Sequence, residues 1–351
     1  MIDPDTQDTY LRLQALRAQL PLTQWPASFF TALKTIARQL AADQVTPFFP
    51  PVVYIEPTNA CNCTCIICPR RQMKRPIGYM DLNMFRQIVD DIARTGPSEV
   101  RLFNFGEPLL HPALPEMVRL CRERQLDARV QTNGLALNEA RLGALLDAGL
   151  DYLGVSLNGL SAAEYEMIRP GFKFEQAQAL LRQARATAIA KGKPLHLHLN
   201  IQMLRTEAAS RDQEIKAFVQ SWNEVADSLS ISGLELQEGI SYLRQGCLET
   251  CHLADLPRKP DSAVTCTEPF DRLVIKWDGR ATACCADMDA AAVVGLLPAE
   301  SIDAVWHSPA LQRIRERLKA HDFKSLPVCQ TCCRFYSEGF TQLFKKHKEC
   351  A

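Results

Sequence analysis

The stretch VVYIEPTNACNCTCIIC, residues 52–68, joins an apolar, β-branched run to a loop that carries four cysteines. The run Val52–Ile55 is typical of a short buried strand. Cys61, Cys65 and Cys68 follow it at x3 and x2 spacing. Three thiolates in one loop can hold three irons of a 4Fe–4S cube and leave the fourth iron open to a small molecule. The loop therefore predicts an iron–sulfur cluster.

A zinc site and a disulfide framework are two alternative explanations of the cysteine loop. Structural zinc takes four ligands in a closed tetrahedral site, so these three cysteines would need a distant fourth ligand. Disulfide frameworks belong to secreted chains, whereas the acidic start Met1–Asp5 lacks the basic beginning of a signal peptide. The spacing favours the iron–sulfur cluster and leaves zinc open.

Length and charge exclude several classes of partner. The 351 residues leave room for one large domain or two modest ones. Lys+Arg and Asp+Glu are 40 each, and no basic stripe appears, so we expect no nucleic-acid partner. No apolar run approaches the roughly 18 residues of a membrane span, so we expect no membrane partner. Fourteen cysteines in such a chain indicate metal ligands in a reducing compartment, and we expect a cytoplasmic location.

Strand-like and helix-like segments alternate from about residue 51 to 236. Repeated βα units imply an α/β fold with a parallel sheet, either a barrel or a doubly wound sheet. In both, ligand sites gather at the carboxyl ends of the strands, and the cysteine loop follows the first strand. A helical stripe after the loop begins at Asp81, a capping residue, and ends at Gly96. The predicted strands are Val52–Ile55, Glu99–Asn104, Ala128–Gln131, Tyr152–Leu157, Leu195–Met203 and Ser228–Leu236.

The segments on either side of this region differ from it, and we divide the chain into 1–50, 51–236 and 237–351. The first part has a helical stripe and is expected to pack on the main domain as a helical extension; its apolar residues are Phe29, Phe30, Leu33, Ile36, Ala37 and Leu40. In the last part we predict a β-hairpin of 273–277 and 280–284 around the Asp278-Gly279 turn. Helices near 302–307 and 311–320 follow, and the remainder is expected to be cysteine-bearing loop.

Polar side chains follow the other predicted strands. Asn104–Pro108 follows strand two, Thr132–Gly134 follows strand three, and Ser156–Gly159 ends strand four, while Asn200 and Gln202 lie on strand five. Each alone is ordinary turn chemistry. At one end of one sheet they form a polar pocket that faces the cysteine loop.

Together these motifs resemble the radical S-adenosylmethionine (SAM) superfamily over about residues 51–236. The resemblance implies a partial (β/α)6, TIM-like barrel. It also implies that Cys61, Cys65 and Cys68 ligate the cluster, whose open iron chelates the amino and carboxylate groups of SAM. Phe105 departs from the family where a second glycine is common, and Cys63 is an extra thiol expected to be a spectator. The segments that carry the resemblance are Glu56–Cys61, Cys68–Arg70, Gly106–Pro108, Thr132–Gly134 and Ser156.

The same resemblance implies a set of SAM contacts. Gly106 and Glu107 would line the methionine amino group, and Ile67 would pack on adenine. Ser156, Asn200 and Gln202 would lie near the ribose or the carboxylate. The residues predicted to bind SAM are Ile67, Gly106, Glu107, Pro108, Thr132, Asn133, Ser156, Asn200 and Gln202.

The C-terminal cysteines resemble the SPASM/twitch domain, which holds an auxiliary 4Fe–4S cluster in radical SAM enzymes. Cys266-x12-Gly279-x4-Cys284 brackets the predicted hairpin, and Cys329-x2-Cys332 follows. The resemblance implies one auxiliary cluster ligated by these four cysteines, although the spacing does not choose between Cys284 and Cys285. On spacing alone, zinc remains an alternative for this site. A second auxiliary cluster, also left open, would use Cys247, Cys251, Cys333 and Cys350.

The resemblance implies reductive cleavage of SAM to a 5′-deoxyadenosyl radical, which takes a hydrogen atom from the substrate. We predict an oxidoreductase that acts on a small polyol, sugar or amino compound, with the auxiliary cluster taking the second electron and a flavodoxin or ferredoxin as reductant. One alternative is a maturase that crosslinks or epimerises a short ribosomal peptide, for which 1–50 is short as a peptide-recognition domain. A more distant alternative is a non-catalytic zinc or electron-transfer protein. The catalytic base is unassigned, and candidates by region are Arg169, Glu238, Tyr242, Glu268 and Asp287.

Overall fold

The computed structural model of the chain describes residues 27–96, 98–206, 211–233, 239–244, 247–252, 260–330 and 332. The strands in these residues are β1 Val52–Ile55, β2 Glu99–Leu102, β3 Asp127–Thr132, β4 Tyr152–Ser156, β5 His196–Met203, β6 Arg205–Thr206, β7 Ser228–Gly233, β8 Gly239–Arg244, β9 Cys247–His252, β10 Arg272–Ile275, β11 Arg280–Thr282 and β12 Val293–Leu296. The α-helices are α1 Ala27–Ala42, α2 Leu82–Thr95, α3 Leu114–Glu123, α4 Glu139–Asp147, α5 Ala162–Ile168, α6 Phe174–Ala190, α7 Asp212–Trp222, α8 Glu268–Asp271, α9 Ile302–Trp306, α10 Pro309–Lys319 and α11 Pro327–Gln330.

The described residues divide into two compact units, each built from segments that are distant in sequence. The first unit comprises those within Met1–Ala60, Pro76–Arg129 and Thr265–Leu326. The second comprises those within Cys61–Arg75, Val130–Val264 and Pro327–Ala351. The division of the sequence at residues 50 and 236 stays a prediction.

The sheet of the first unit has the strand order β12-β11-β10-β1-β2-β3. Strand β1 is parallel to both β2 and β10, and all four of its residues are buried. The pairing of β1 with β10 brings residues more than 200 positions apart into register, from Val52↔Arg272 to Ile55↔Ile275. Short apolar strands buried on both faces are characteristic of parallel sheets. The apolar run Val52–Ile55 therefore predicted where β1 lies in the sequence.

The predicted hairpin near residue 279 is confirmed as the antiparallel pair β10–β11. Gly279 has φ of 85°, and its N–H donates to the Lys276 carbonyl at 2.9 Å. A Cβ at this glycine would lie 2.1 Å from the Leu297 carbonyl oxygen, so both the backbone angle and the close approach require glycine.

Helices of the first unit follow the predicted stripes. The Asp81 side chain accepts from the backbone N–H groups of Asn83 at 2.9 Å and Met84 at 3.0 Å, so it caps α2 as predicted. Gly96 follows the last residue of this helix. In α1, the described side chains of Leu33, Ala37 and Leu40 are buried, which confirms the N-terminal stripe from residue 33 onward. Residues 1–26 lie outside the described part. No helix of the described chain has both the length and the apolar character needed to cross a membrane.

The sheet of the second unit has the order β3-β4-β5-β7, and β4, β5 and β7 pair in parallel. Strand β3 passes from the first unit into the second between Arg129 and Val130. A separate sheet of order β6-β8-β9 also lies in the second unit. The antiparallel pair β8–β9 corrects the sequence prediction, which placed only loop there. Its strands are short and alternate weakly between apolar and polar residues, so periodicity did not reveal them.

Candidate functional site

The cysteine-bearing part of the loop between β1 and α2, Cys61–Arg75, lies in the second unit, where backbone hydrogen bonds define its shape. The Cys68 N–H donates to the Cys65 carbonyl at 3.1 Å, which closes a turn between two predicted ligands. The Ile66 N–H donates to the Ile168 carbonyl at 3.0 Å, which ties the loop to the end of α5. Cys61, Cys65 and Cys68 are partly exposed, whereas Cys63 is buried. The three predicted ligands are therefore the more accessible thiols of the loop.

Two thiols of the loop contact each other directly. The Sγ atoms of Cys63 and Cys65 lie 3.2 Å apart. This thiol–thiol hydrogen bond lowers the pKa of Cys63 to about 7 and raises the pKa of Cys65. Burial raises the pKa of Cys68. Because a cluster binds thiolates, loading this loop must release protons.

Asn133, which follows β3, contacts the first predicted ligand. Its Nδ2 lies 3.7 Å from the Cys61 Sγ and 2.9 Å from the Asn62 Oδ1. Its Oδ1 accepts from the Leu135 N–H at 2.9 Å. Thr132 is buried, and its Oγ1 accepts from the Gly134 N–H at 3.0 Å. The Thr132–Gly134 turn therefore presents the Asn133 side-chain N–H group to a predicted cluster ligand, the kind of hydrogen bond that orients ligands and tunes cluster sulfurs.

Arg169 connects two strand ends beside the cysteine loop. Its guanidinium donates to the Asn133 carbonyl at 2.9 Å and to the Ser156 carbonyl at 2.8 Å. The residue is 2% exposed, and its Cζ lies 5.3 Å from the centre of the Tyr165 ring. A guanidinium offers five N–H donors in a planar fork, so Arg169 acts here as a hydrogen-bond donor that positions the backbone of both strand ends.

We expect Arg169→Met to lower the free energy of unfolding by about 2–4 kcal/mol, because it leaves two carbonyls without their charged donor. Arg169→Lys should recover part of the loss, since an ammonium cannot reproduce the planar fork. Urea unfolding measures both variants. The control is Arg71→Met, which removes an exposed arginine that donates to the Thr64 carbonyl. Equal unfolding midpoints for Arg169→Met and Arg71→Met would contradict the positioning role.

One face of β4, β5 and β7 is lined by hydrogen-bonding side chains. His198 lies at its centre, with Nδ1 2.7 Å from the Ser228 Oγ and Nε2 3.0 Å from the Ser230 Oγ. The Tyr152 ring stacks on His196 with centroids 5.2 Å apart. The opposite face is apolar, because side chains alternate along a strand. We call the first face the polar face; its residues are Tyr152, Ser156, His196, His198, Asn200, Gln202, Ser228, Ser230 and Ser232.

Three of the predicted SAM-binding residues therefore lie on the polar face. The Ser156 Oγ accepts from the Gln131 Nε2 at 3.0 Å. Asn200 pairs with Ser156 and Gln202 with Ser232, which places both residues on this face. Their backbone carbonyls accept from the N–H groups of Leu157 at 2.8 Å and Gly159 at 2.9 Å. Ile67 is buried and packs with Ile168 and Leu204. The roles of these residues toward SAM stay predictions.

The Gly106–Pro108 segment lies in the first unit and packs on backbone there. A Cβ at Gly106 would lie 2.0 Å from the Thr58 carbonyl oxygen. The Glu107 N–H donates to the Ala60 carbonyl at 2.8 Å. The buried Glu107 side chain accepts from the Leu109 N–H at 3.0 Å and caps a short 3-10 helix that begins at Pro108. The motif therefore holds the residues that directly precede Cys61 in the sequence.

Two buried charged residues follow strands of the first unit and were not singled out as site residues from the sequence. The Glu56 carboxylate accepts from the backbone N–H groups of Phe105 and Trp277, each at 3.3 Å, so it joins the ends of β1, β2 and β10. The Lys276 Nζ donates to the Asn104 Oδ1 at 2.8 Å. Both residues are fully buried. In the sequence, each of these residues directly follows a buried apolar strand, and that position could have marked both as candidate site residues.

The predicted auxiliary ligands are divided between the units. Cys266 and Cys284 belong to the first unit, and Cys329 and Cys332 to the second. The Cys284 Sγ accepts from the Ala286 N–H at 3.4 Å, whereas the Cys285 Sγ contacts the Glu268 carboxylate at 3.5 Å. This difference favours Cys284 as the ligand, but the assignment stays a prediction. Of the residues proposed for a second auxiliary cluster, Cys333 and Cys350 lie outside the described residues, and Cys247 and Cys251 are described only as backbone of β9.

The other candidate bases have structural partners or lie outside the described side chains. The Asp287 carboxylate accepts from the N–H groups of Ala291 and Ala292 at 2.8 and 3.0 Å. Glu268 forms an ion pair with Arg272 at 3.2 Å. Glu238 lies outside the described residues, and the side chain of Tyr242 is not among those described. The catalytic base stays unassigned.

The donor set of the cysteine loop fits an iron–sulfur cluster. Soft thiolates select iron–sulfur clusters or zinc, and Asn133 donates toward one of the thiols. Among the described residues, no three His, Cys, Asp or Glu side chains converge on the position of a single metal ion. A cube distributes its thiolates over separate irons and does not need that convergence.

Comparison with protein families decides the identity of this site. Residues 55–211 match the model of the radical SAM superfamily. Residues 266–333 match the SPASM model, an iron-sulfur cluster-binding domain. The chain is a radical SAM enzyme with a C-terminal SPASM domain. The predicted family is confirmed, and so are its cofactors, SAM and 4Fe–4S clusters. The non-catalytic alternative is set aside.

Three known proteins illustrate what this radical SAM enzyme resembles. The GTP 3',8-cyclase of Chlorobaculum tepidum is 33% identical over 187 residues, which are 53% of each chain. The crystal structure of BtrN in complex with AdoMet and 2-DOIA has a TM-score of 0.56 at 19% identity, over 81% of this chain and 93% of that one. Streptococcus suis SuiB bound to precursor peptide SuiA has a TM-score of 0.59 at 16% identity, over 81% and 70%.

These similarities confirm the predicted α/β fold with a parallel sheet. The partial (β/α)6 barrel stays a prediction. At such low identities the structural likeness shows the fold alone. The chain spans about half the length, or less, of the curated relatives it matches. These similarities therefore do not assign a substrate to this enzyme.

Proposed function

We propose that this radical SAM enzyme oxidises a small polyol, sugar or amino compound and that an auxiliary cluster accepts the second electron. The observation that supports this substrate class is the polar face of β4, β5 and β7. Its hydroxyl, imidazole and amide groups can both donate to and accept from a substrate rich in hydroxyl or amino groups. An apolar substrate would displace water from these groups without replacing its hydrogen bonds, at a cost of about 1–3 kcal/mol for each group left unsatisfied.

The chain's own residues would position the reacting groups. The bound cluster and SAM supply a radical that takes a hydrogen atom from a substrate C–H bond. Asn133 orients Cys61 through its Nδ2, and Arg169 holds the carbonyls of Asn133 and Ser156 in place. Arg169 thereby positions both Asn133, which contacts the cysteine loop, and Ser156, which lies at one end of the polar face. A flavodoxin or ferredoxin as reductant and a cytoplasmic, reducing location belong to the same proposal, because the cysteines must stay reduced.

The test uses the anaerobically reconstituted full chain with SAM and dithionite. One panel holds cyclitols and amino sugars carrying deuterium on their C–H positions, and the other holds deuterated synthetic peptides. We expect deuterium to appear in 5′-deoxyadenosine with a member of the first panel. The matched control is the Cys61/Cys65/Cys68→Ala variant, for which we expect no deuterium transfer. Transfer only from peptides would overturn the proposed substrate class.

A second candidate function is modification of a ribosomal peptide. It is supported by the fold shared with SuiB, which was solved with its precursor peptide SuiA. BtrN shares the same fold and was solved with AdoMet and 2-DOIA, so the fold does not choose between the two functions. Transfer of deuterium from a peptide, together with a peptide product of altered mass or stereochemistry, would establish the second candidate.

A further inference from the structure

Cys63 is a fourth thiol in a loop that needs three for its cluster. It is 6% exposed, and its Sγ lies 3.2 Å from that of Cys65. A disulfide bond is about 2.05 Å long, so the two sulfurs need to move together by only about 1 Å. Asn133, in contrast, contacts the Cys61 thiol. Cys63 is therefore placed against one predicted ligand.

The backbone around this pair is anchored on both sides. Ile66 is tied to the Ile168 carbonyl at 3.0 Å, and the Cys65 carbonyl accepts from Cys68 at 3.1 Å. The side chain of Cys65 packs against three buried apolar side chains, those of Ile67, Ile168 and Leu204. Thr64, between the two cysteines, accepts from the Arg71 guanidinium at 2.8 Å. These contacts keep the two sulfurs facing each other before any cluster is present.

We propose that Cys63 and Cys65 are a covalent modification site: in the cluster-free protein they form a disulfide that withholds Cys65 from the cluster until it is reduced. The step breaks two S–H bonds and forms one S–S bond, and it releases two electrons and two protons. Molecular oxygen takes them and becomes hydrogen peroxide, or glutathione disulfide takes them and becomes two glutathione molecules. A dithiol reductant returns two electrons and two protons and restores both thiols.

The disulfide has a direct consequence for cluster assembly. A disulfide sulfur is not a thiolate and cannot ligate iron, so the oxidised loop offers only Cys61 and Cys68 to the cluster. This inference rests on Cys65 being a cluster ligand, as the proposed function requires. Oxidation would then prevent the chain from acquiring this cluster, and the disulfide would keep Cys63 and Cys65 from irreversible oxidation.

The first experiment maps the bond. The full chain is prepared without cluster, reduced anaerobically, exposed to air-saturated buffer or glutathione disulfide, alkylated and digested with trypsin. Peptide 39–70 contains all four cysteines of the loop. We expect this peptide to be lighter by two hydrogen atoms, with two alkylated cysteines, and fragmentation to place the bond between Cys63 and Cys65. Cys63→Ser should abolish the bond, and Cys121→Ser, which changes a buried thiol of α3, should leave it intact.

The second experiment counts iron after addition of ferrous iron and sulfide without a thiol reductant. The oxidised wild type should bind about four fewer irons per chain than the reduced wild type, the content of one cube. Cys63→Ser, or Cys63→Ala if the serine variant does not fold, should bind equal iron in both states. A bond between any other pair, no bond in peptide 39–70, or equal iron in the two wild-type states would overturn the proposal. If the loop does not bind a cluster at all, the reduced wild type will also lack this iron, which distinguishes failure of the proposed function from failure of the disulfide proposal.

Discussion

Simultaneous replacement of Cys61, Cys65 and Cys68 by alanine should reduce cleavage of SAM to 5′-deoxyadenosine to the level seen without protein. These are the three thiols that the loop spacing and the resemblance to the radical SAM superfamily predict as ligands of the cluster. Without them no iron is left to bind SAM or pass it an electron, so the loss should be complete. The measurement is 5′-deoxyadenosine formed anaerobically with dithionite.

Iron content separates this loss from general misfolding. The triple variant should lose about four irons per chain, the content of one cube, and should keep the iron of the SPASM domain. Cys121→Ala is the matched control, because it removes a buried cysteine of α3 in the first unit and should keep both the iron and SAM cleavage. Undiminished 5′-deoxyadenosine in the triple variant would remove the assignment of the radical-forming site.

Gly106→Ala should lower the free energy of unfolding by about 2–3 kcal/mol and weaken SAM cleavage. The new Cβ would lie 2.0 Å from the Thr58 carbonyl oxygen, and 2.8 Å from both the Ala60 carbonyl oxygen and the Asn59 Cα. All three are backbone atoms, so no side chain can turn away to make room. The hydrogen bond from the Glu107 N–H to the Ala60 carbonyl would be strained as well.

The backbone that would have to move is itself held in place. The Thr58 Oγ1 donates to the Gly78 carbonyl at 2.7 Å, and the Asn59 side chain bonds Pro76 and Gly78 at 2.9 and 2.8 Å. Ala60 directly precedes Cys61 in the sequence, so displacing this segment would also displace the backbone of Cys61, the first predicted ligand. Urea unfolding and SAM cleavage measure the two effects.

The control for Gly106 is Gly192→Ala. Gly192 has φ of 58° and nothing within 4 Å of an added Cβ, so alanine there meets only the backbone cost of about 1 kcal/mol. If Gly106→Ala were no less stable than Gly192→Ala, the close approach would not be the reason for glycine at this position.

Sequence patterns predicted the local elements well, since these depend on neighbouring residues. The six predicted strands of 51–236 correspond to β1, β2, β3, β4, β5 and β7. The bounds of β1 are as predicted, the ends of β2 to β5 differ by at most two residues, and the predicted end of the sixth strand lies outside the described residues. The cap at Asp81 and the turn at Gly279 followed from the chemistry of single residues. The β8–β9 pair was missed because its strands lack a clear alternation.

Other features of the site depend on contacts between distant residues and were not available from patterns. Arg169 was a candidate base by region, and only its bonds to the Asn133 and Ser156 carbonyls reveal a positioning role. Cys63 was expected to be a spectator, and only the distance to Cys65 suggests otherwise. Glu56 was part of a recognised motif, but its bonds to Phe105 and Trp277 join three strand ends.

The sequence by itself therefore determined the family and the order of βα units, because cysteine spacing and apolar periodicity are local properties of the chain. Which thiols bind the cluster stays a prediction from the same spacing. The tertiary structure alone decided that β10 pairs with β1, that Asn133 lies against Cys61, and that one face of β4, β5 and β7 is polar throughout. Strand pairing and register select which distant residues meet, and that selection depends on how the whole core packs.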